Sequence, residues 1–140
     1  RPFVVYGPGR EVGGSAGASI ACRMAIQKEA YQIPFTGMAG FVYVEDVAEI
    51  ICQGLMENNS GASVINMTGV TATVDDFINE IQKQMPEAKL SANGTPLPVY
   101  AAIPTTQSWP LRKKHEPTPL NQGITKTLEY YKTRKLPLLS

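Results

Sequence analysis

Arg1-Pro2-Phe3-Val4-Val5-Tyr6-Gly7-Pro8-Gly9-Arg10 opens the chain, and this decapeptide decides how the rest is read. Phe3 to Tyr6 is a β-branched and aromatic run that Gly7-Pro8-Gly9 stops abruptly, the pattern of a buried strand leaving into a loop. Five glycines (Gly7, Gly9, Gly13, Gly14 and Gly17) extend that loop to about residue 17. A helix is expected to follow from Ala18 to about Glu29, with Ile20, Ala21 and Met24 on one face. Tyr31 to Phe35 reads as a short strand broken by Pro34.

Working outward, Phe41-Val42-Tyr43-Val44 is a second strand. Val47, Ile50, Ile51, Gly54 and Leu55 then recur at i, i+3, i+4, i+7 and i+8, an amphipathic helix. Asn58 to Gly61 reads as a turn, and Ser63 to Met67 as a strand ending at Thr68-Gly69. Thr73 is placed to cap a helix, with Asp76 three residues on as its reciprocal partner. Val74, Phe77, Ile78, Ile81 and Met85 form that helix's apolar stripe, and Pro86 ends it. Lys89 to Ser91 is a further short strand, and Asn93-Gly94 a turn. Six prolines between Pro96 and Pro119 mark an irregular loop. Pro119 opens a last helix with Leu120, Ile124, Leu128 and Tyr131 facing inward.

Strands alternating with helices imply α/β crossovers and a parallel sheet. Only three or four strands are visible, fewer than such a sheet needs to cover its faces and edges. With 140 residues the chain is one domain or part of one. Its start at Arg1 rather than Met reads as an entry partway through a longer fold. An exposed apolar patch larger than the few hundred Å² usual for monomers is therefore expected, and with it association through an unpaired sheet edge, as in a homo-oligomer.

Composition narrows the function. Hydrophobic residues at 43% and charged residues at 18% are those of a globular chain. A net charge of +1 argues against nucleic acid as partner. No apolar run is long enough for a membrane span, and no secretory signal is visible, so a cytoplasmic location is expected. The last 31 residues carry seven Lys/Arg against two Glu, leaving six against ten in the rest; a solvated basic helix face or an anion contact both fit. Cys22 and Cys52 lie in apolar helical patterns and read as buried thiols, with a disulfide between them left open. His115 has no Cys or second His nearby, so no metal site is expected.

The glycine-rich loop invites a phosphate-cradle reading and does not meet its spacing. Gly7-x-Gly9 lacks the third glycine at position 12, which is Val12, and Gly14 is followed by Ser15 rather than Lys. A substrate-side loop suits it better. Tyr131-x-x-x-Lys135 has the spacing that sets a phenol beside an ammonium on one helix face, but it lies at the end of the chain and reads as structural.

Four segments taken together resemble one family. Residues 1–10 resemble the RP-x-x-VYGPG strand and loop of the extended short-chain dehydrogenases/reductases, the NAD-dependent epimerase/dehydratase family. Phe41-Val42-Tyr43-Val44-Glu45-Asp46-Val47-Ala48 looks like that family's strand followed by a V-x-D-V-A helix start. Val64-Ile65-Asn66-Met67-Thr68-Gly69 resembles its x-x-N-x-G strand end, and Pro117 to Ile124 its C-terminal helix.

The resemblance implies the C-terminal portion of a Rossmann-type extended short-chain dehydrogenase fold: α/β, a few parallel strands with flanking helices plus the small substrate-binding subdomain. Residues 1–140 would be the substrate-binding portion. The dinucleotide fingerprint GxxGxxG and the catalytic Tyr-x-x-x-Lys, upstream in the family, are absent here, so no catalytic residue is assigned. NAD or NADP would serve the parent protein and not be bound by this chain alone. The resemblance sets Pro2 and Phe3 beside the nicotinamide. It sets Val4, Tyr6, Gly7, Pro8, Arg10 and Tyr43 toward a small-molecule substrate, a sugar or another hydroxy or keto compound. Two departures matter. Many sugar-nucleotide members have Asn where Val4 stands, and an Arg that clamps the diphosphate where this chain has Gly37-Met38-Ala39-Gly40. A smaller hydroxyl- or carbonyl-bearing substrate therefore stands beside a nucleotide sugar, because charge-assisted contacts do most of the work of holding a diphosphate. Against the enzymatic reading stands a non-catalytic binding or assembly module derived from a truncated family member.

Overall fold

The computed structural model describes residues 1–56, 61, 64, 66–98 and 115–134. Its elements in chain order are β1 (Val4–Tyr6), α1 (Gly17–Gln27), β2 (Tyr31–Ile33), β3 (Met38–Tyr43), α2 (Val44–Met56), β4 (Val70–Thr73), α3 (Val74–Gln84), β5 (Leu90–Ala92) and α4 (Leu120–Thr133). Two small sheets result. One has the order β1-β3-β4 and the other pairs β2 with β5 in parallel. β1 runs parallel to β3, with Val4 opposite Phe41 and Tyr6 opposite Tyr43.

β3 pairs antiparallel with β4, Met38 opposite Thr73 and Phe41 opposite Val70, so the sheet is mixed rather than all parallel. Residues 63 and 65 of the expected strand over 63–67 lie outside the described residues; of the others, Met67 forms a bridge to Pro2 and Val64 is exposed. A described strand, β4, begins just beyond Gly69. The cause is local. Gly69 adopts φ +64°, and a Cβ there would stand 2.0 Å from the Phe41 carbonyl oxygen. The chain presses onto β3 at this point and turns back along it, which only glycine permits.

The main core lies between this sheet and helices α1, α3 and α4. Phe77 and Ile81 of α3, Ile124 and Leu128 of α4, and Phe41 of β3 are fully buried. α3 follows its sequence signals closely. Thr73 Oγ1 accepts the Asp76 N–H (3.0 Å), and Asp76 Oδ2 accepts the Thr73 N–H (2.9 Å), a complete capping box. α1 differs from expectation. Its core face is Ala18, Ala21, Cys22 and Ala25, with Ile20 and Met24 only half-buried. Small side chains win because α1 is pressed close to its neighbours: a Cβ added at Gly17 would lie 2.9 Å from Pro34 Cδ.

α2 departs further. It lies over a separate small cluster of Val42, Ile50 and Met67, with Val47 half-buried against it. Ile51 and Leu55, read from sequence as part of the buried stripe, are exposed at 53% and 81%. Cys52 is likewise exposed, and both it and buried Cys22 are free thiols. The expected pair of buried thiols is corrected to one. No described element packs on the outer side of α2, where its second apolar ridge is exposed.

Candidate functional site

In open α/β sheets, ligands gather beyond the carboxyl ends of parallel strands, where loops meet helix N-termini. Here the carboxyl end of β1 opens into the glycine-rich loop. Gly7 is backed against α2: at φ +133° a Cβ would meet Val44 Cγ1 at 2.6 Å. Its N–H donates to Ser19 Oγ of α1 at 3.1 Å, inside the protein. The loop then turns outward. The Arg10 N–H donates to the Gly7 carbonyl (3.2 Å) and the Ala16 N–H to that of Gly13 (3.0 Å). Arg10 folds back over Gly13 and donates from Nη2 to Ser15 Oγ at 3.3 Å. Gly9, Gly13 and Gly14 face solvent, as does Val12.

Glu11 leaves the loop inward and meets Arg23 Nη1 of α1 at 2.5 Å. Tyr131 of α4 is buried beside the same carboxylate, and burial first, then Glu11, pushes its phenol pKa up.

The sequence-assigned residues separate into two groups. Pro2 is exposed, and Phe3, Pro8 and Arg10 are half-buried; these four have surface to offer. Val4, Tyr6 and Tyr43 are each 1% exposed and belong to the core. Tyr6 is ringed by Phe41, Tyr43 and Phe77 at centroid distances of 5.1 to 6.3 Å. The Tyr43 ring lies under Lys126 Nζ, 5.3 Å from its centroid. Burial, and then the adjacent Glu45 carboxylate, push the Tyr43 phenol up to about 12. Neither phenol is suited to exchange a proton near neutral pH.

Pro2 and Phe3 lie beside the Met67 segment. The Phe3 N–H donates to the Met67 carbonyl (3.2 Å), and the Met67 N–H to that of Arg1 (3.0 Å). This bridge skips the Pro2 nitrogen, which has no proton to give. The Phe3 ring covers Gly40, where a Cβ would come within 3.0 Å of Phe3 Cδ2 and 2.2 Å of the Thr68 carbonyl oxygen. The stretch 37–40, where the family pattern has Arg, offers exposed Met38 and no cation.

Sequence reasoning missed one polar junction. Asp46, 6% exposed, accepts the Thr118 N–H at 2.9 Å and the Thr118 hydroxyl at 2.6 Å. His115 stands between Asp46 and Glu49, its two ring nitrogens each 3.5 Å from a carboxylate oxygen. The Asp of the V-x-D-V-A pattern therefore anchors the start of α4. Its signal in sequence was that pattern itself, which does not name the partner. Among the described residues no His/Cys/Asp/Glu group could hold a metal ion, and no helix is long and apolar enough to cross a membrane. Lys135, the second member of the Tyr131-x-x-x-Lys135 spacing, and residues 99–114 of the proline-rich loop lie outside the described residues; Tyr131 itself is buried.

No family model matches the chain, and no curated protein sequence does. Solved structures do. The NAD-dependent NDP-hexosamine 5,6-dehydratase TunA, involved in tunicamycin biosynthesis, matches at 22% identity and a TM-score of 0.71, over 96% of this chain and 45% of that one. MoeE5 in complex with UDP-glucuronic acid and NAD matches at 20% identity and 0.74, over 97% and 46%. The UDP-glucose 4-epimerase of Thermus thermophilus, in complex with NAD, matches at 19% and 0.64, over 94% and 45%. These are extended short-chain dehydrogenase/reductase structures of the NAD-dependent epimerase/dehydratase type. At such identity the likeness shows the fold: the chain has part of their Rossmann-type α/β fold and spans under half their length.

Proposed function

We propose that residues 1–140 form the substrate-side portion of an NAD(P)-dependent epimerase, dehydratase or related alcohol dehydrogenase, inactive by themselves. The observation that carries this reading is the glycine-rich loop at the carboxyl end of β1, in a fold shared with structures solved with NAD and UDP-sugars. In this reading Pro8, Arg10 and the Gly7 backbone meet the substrate, and Pro2 and Phe3 line one side of the nicotinamide. Phe3 and Gly7 are four residues apart along an extended strand, roughly 13 Å, so a ligand touching both is elongated. Val4, Tyr6 and Tyr43 act behind this surface as its packed support.

The dinucleotide fingerprint and the proton-transferring Tyr-x-x-x-Lys would come from a part of the protein outside these residues. The nicotinamide would supply the hydride step. The substrate is a sugar, sugar nucleotide or other hydroxy or keto compound. Incubating the 140-residue chain with NAD and UDP-glucose, and following both NADH absorbance and conversion of the sugar nucleotide by chromatography, tests the inactivity; no turnover is expected, and measurable NADH or product formation overturns it.

A second reading, association with another chain, draws on Ile51, Leu55 and Met56, which leave one side of α2 apolar and exposed. Light scattering across a dilution series tests it. A monomer at every concentration contradicts it.

A further inference from the structure

In the loop's middle, residues 10–15, Glu11 forms a salt bridge to another element, with Arg23 of α1. Arg10 and Ser15 bond to each other within the loop, and Val12, Gly13 and Gly14 face solvent. Gly9 and Gly13 sit at φ +78° and +104°, in a stretch whose glycines leave it many other conformations. What holds it is a charge. Glu11 pairs with Arg23, whose side chain is 5% exposed, so one carboxylate ties the loop to α1.

Fold stability does not account for such a pair. Moving two charges out of water costs about as much as their attraction returns, and replacing both by well-packed apolar groups is often neutral or stabilising. We propose that Glu11, through Arg23, is a positioning residue that fixes the glycine-rich loop in one conformation, so that Pro8 and Arg10 are presented ready-made. Arg10, which donates to Ser15 Oγ, is left as the cation on the outer side of the loop. The ligand-presenting sense rests on the proposed function; the pinning of the loop does not.

The test separates pinning from stability. In the 140-residue chain, Glu11→Gln combined with Arg23→Met removes the pair without leaving a buried charge. Amide hydrogen exchange is read at Arg10 and Ala16, whose N–H groups close the two loop turns, and at Phe77 and Ile81 in α3. The expected result is an exchange rate at least tenfold faster at Arg10 and Ala16 with that at Phe77 and Ile81 unchanged. Arg23→Lys, which keeps the charge, is expected to retain part of the loop's protection. Unchanged exchange at Arg10 and Ala16 overturns the proposal. So does an equal loss at α3, or a double variant that does not fold, because the pair would then serve the fold as a whole. None of these readouts involves a ligand, so their failure is distinct from failure of the functional reading.

Discussion

Asp46, in the first turn of α2, binds both the backbone N–H and the hydroxyl of Thr118, 72 residues further along the chain. The carboxylate is buried and joins the start of α2 to the start of α4, the helix whose Ile124 and Leu128 complete the core. Hydrogen bonds to a charged group are each worth about 1.5–3 kcal/mol, and an orphaned buried donor adds its own penalty. Asp46→Ala is therefore expected to destabilise the protein by about 3 kcal/mol in denaturant unfolding. Thr118→Val, which leaves the carboxylate without its hydroxyl donor, is expected to cost about half as much.

Gly123 and Tyr6 make a prediction that opposes helix propensity. Ala in place of an interior helical Gly ordinarily gains about 1 kcal/mol. At Gly123 a Cβ would stand 2.0 Å from the Tyr6 phenol oxygen and 2.9 Å from Cζ. Gly123→Ala is expected to lower stability by about 2 kcal/mol or more through overpacking. The Tyr6 hydroxyl is buried without a hydrogen-bond partner among the described residues. Tyr6→Phe alone is thus expected to be neutral or mildly stabilising, and to rescue much of the Gly123→Ala loss. A double-mutant cycle by thermal or urea unfolding measures both.

The Thr73–Asp76 capping box gives a pH signature. The Thr73 side chain and then its backbone hold the Asp76 carboxyl below its ordinary pKa. A group depressed in the folded state contributes stability above its unfolded pKa and loses it as pH falls through the folded one. The parent chain is expected to unfold at a higher urea midpoint than Thr73→Ala near neutrality. The gap should narrow as the solution is taken below the ordinary carboxylate range, leaving the part due to the Asp76 N–H bond to Thr73 Oγ1.

Lys28 ends α1 in the left-handed region at φ +60°, while the Glu29 N–H reaches back to the Met24 carbonyl. A non-glycine residue there carries a steric cost of about 1 kcal/mol. Lys28→Gly is expected to raise the unfolding free energy by up to about that amount, read from urea curves with an unchanged slope.

Much of this fold was legible because its signals are local. The Thr73–Asp76 box, the Val74-Phe77-Ile78-Ile81 stripe and the β1 stop at Gly7 each act over a few residues. What escaped depended on distant partners. The burial of Ala18 and Ala25 rather than Ile20 and Met24 depends on how close neighbouring elements approach α1. The reversal of β4 depends on Gly69 pressing on Phe41, a contact across 28 positions. The exposure of Ile51 and Leu55 depends on the absence of a described element over α2, which periodicity cannot register. At the candidate site, the loop and its Arg10 were visible in the sequence; the Glu11–Arg23 tie was not, since nothing in the spacing of a Glu and an Arg twelve apart says that they meet.

The central question is where a ligand meets β1 and its loop. Titrating the isotope-labelled 140-residue chain with UDP-glucose, and separately with NAD, and following amide chemical shifts addresses that directly. UDP-glucose is expected to move the amides of Gly7, Gly9 and Arg10, and NAD, whose fingerprint lies outside these residues, to leave the spectrum unchanged. UDP-glucose shifts that leave these residues untouched and gather on α2 or α3, or no shift with UDP-glucose, would contradict the substrate-side reading.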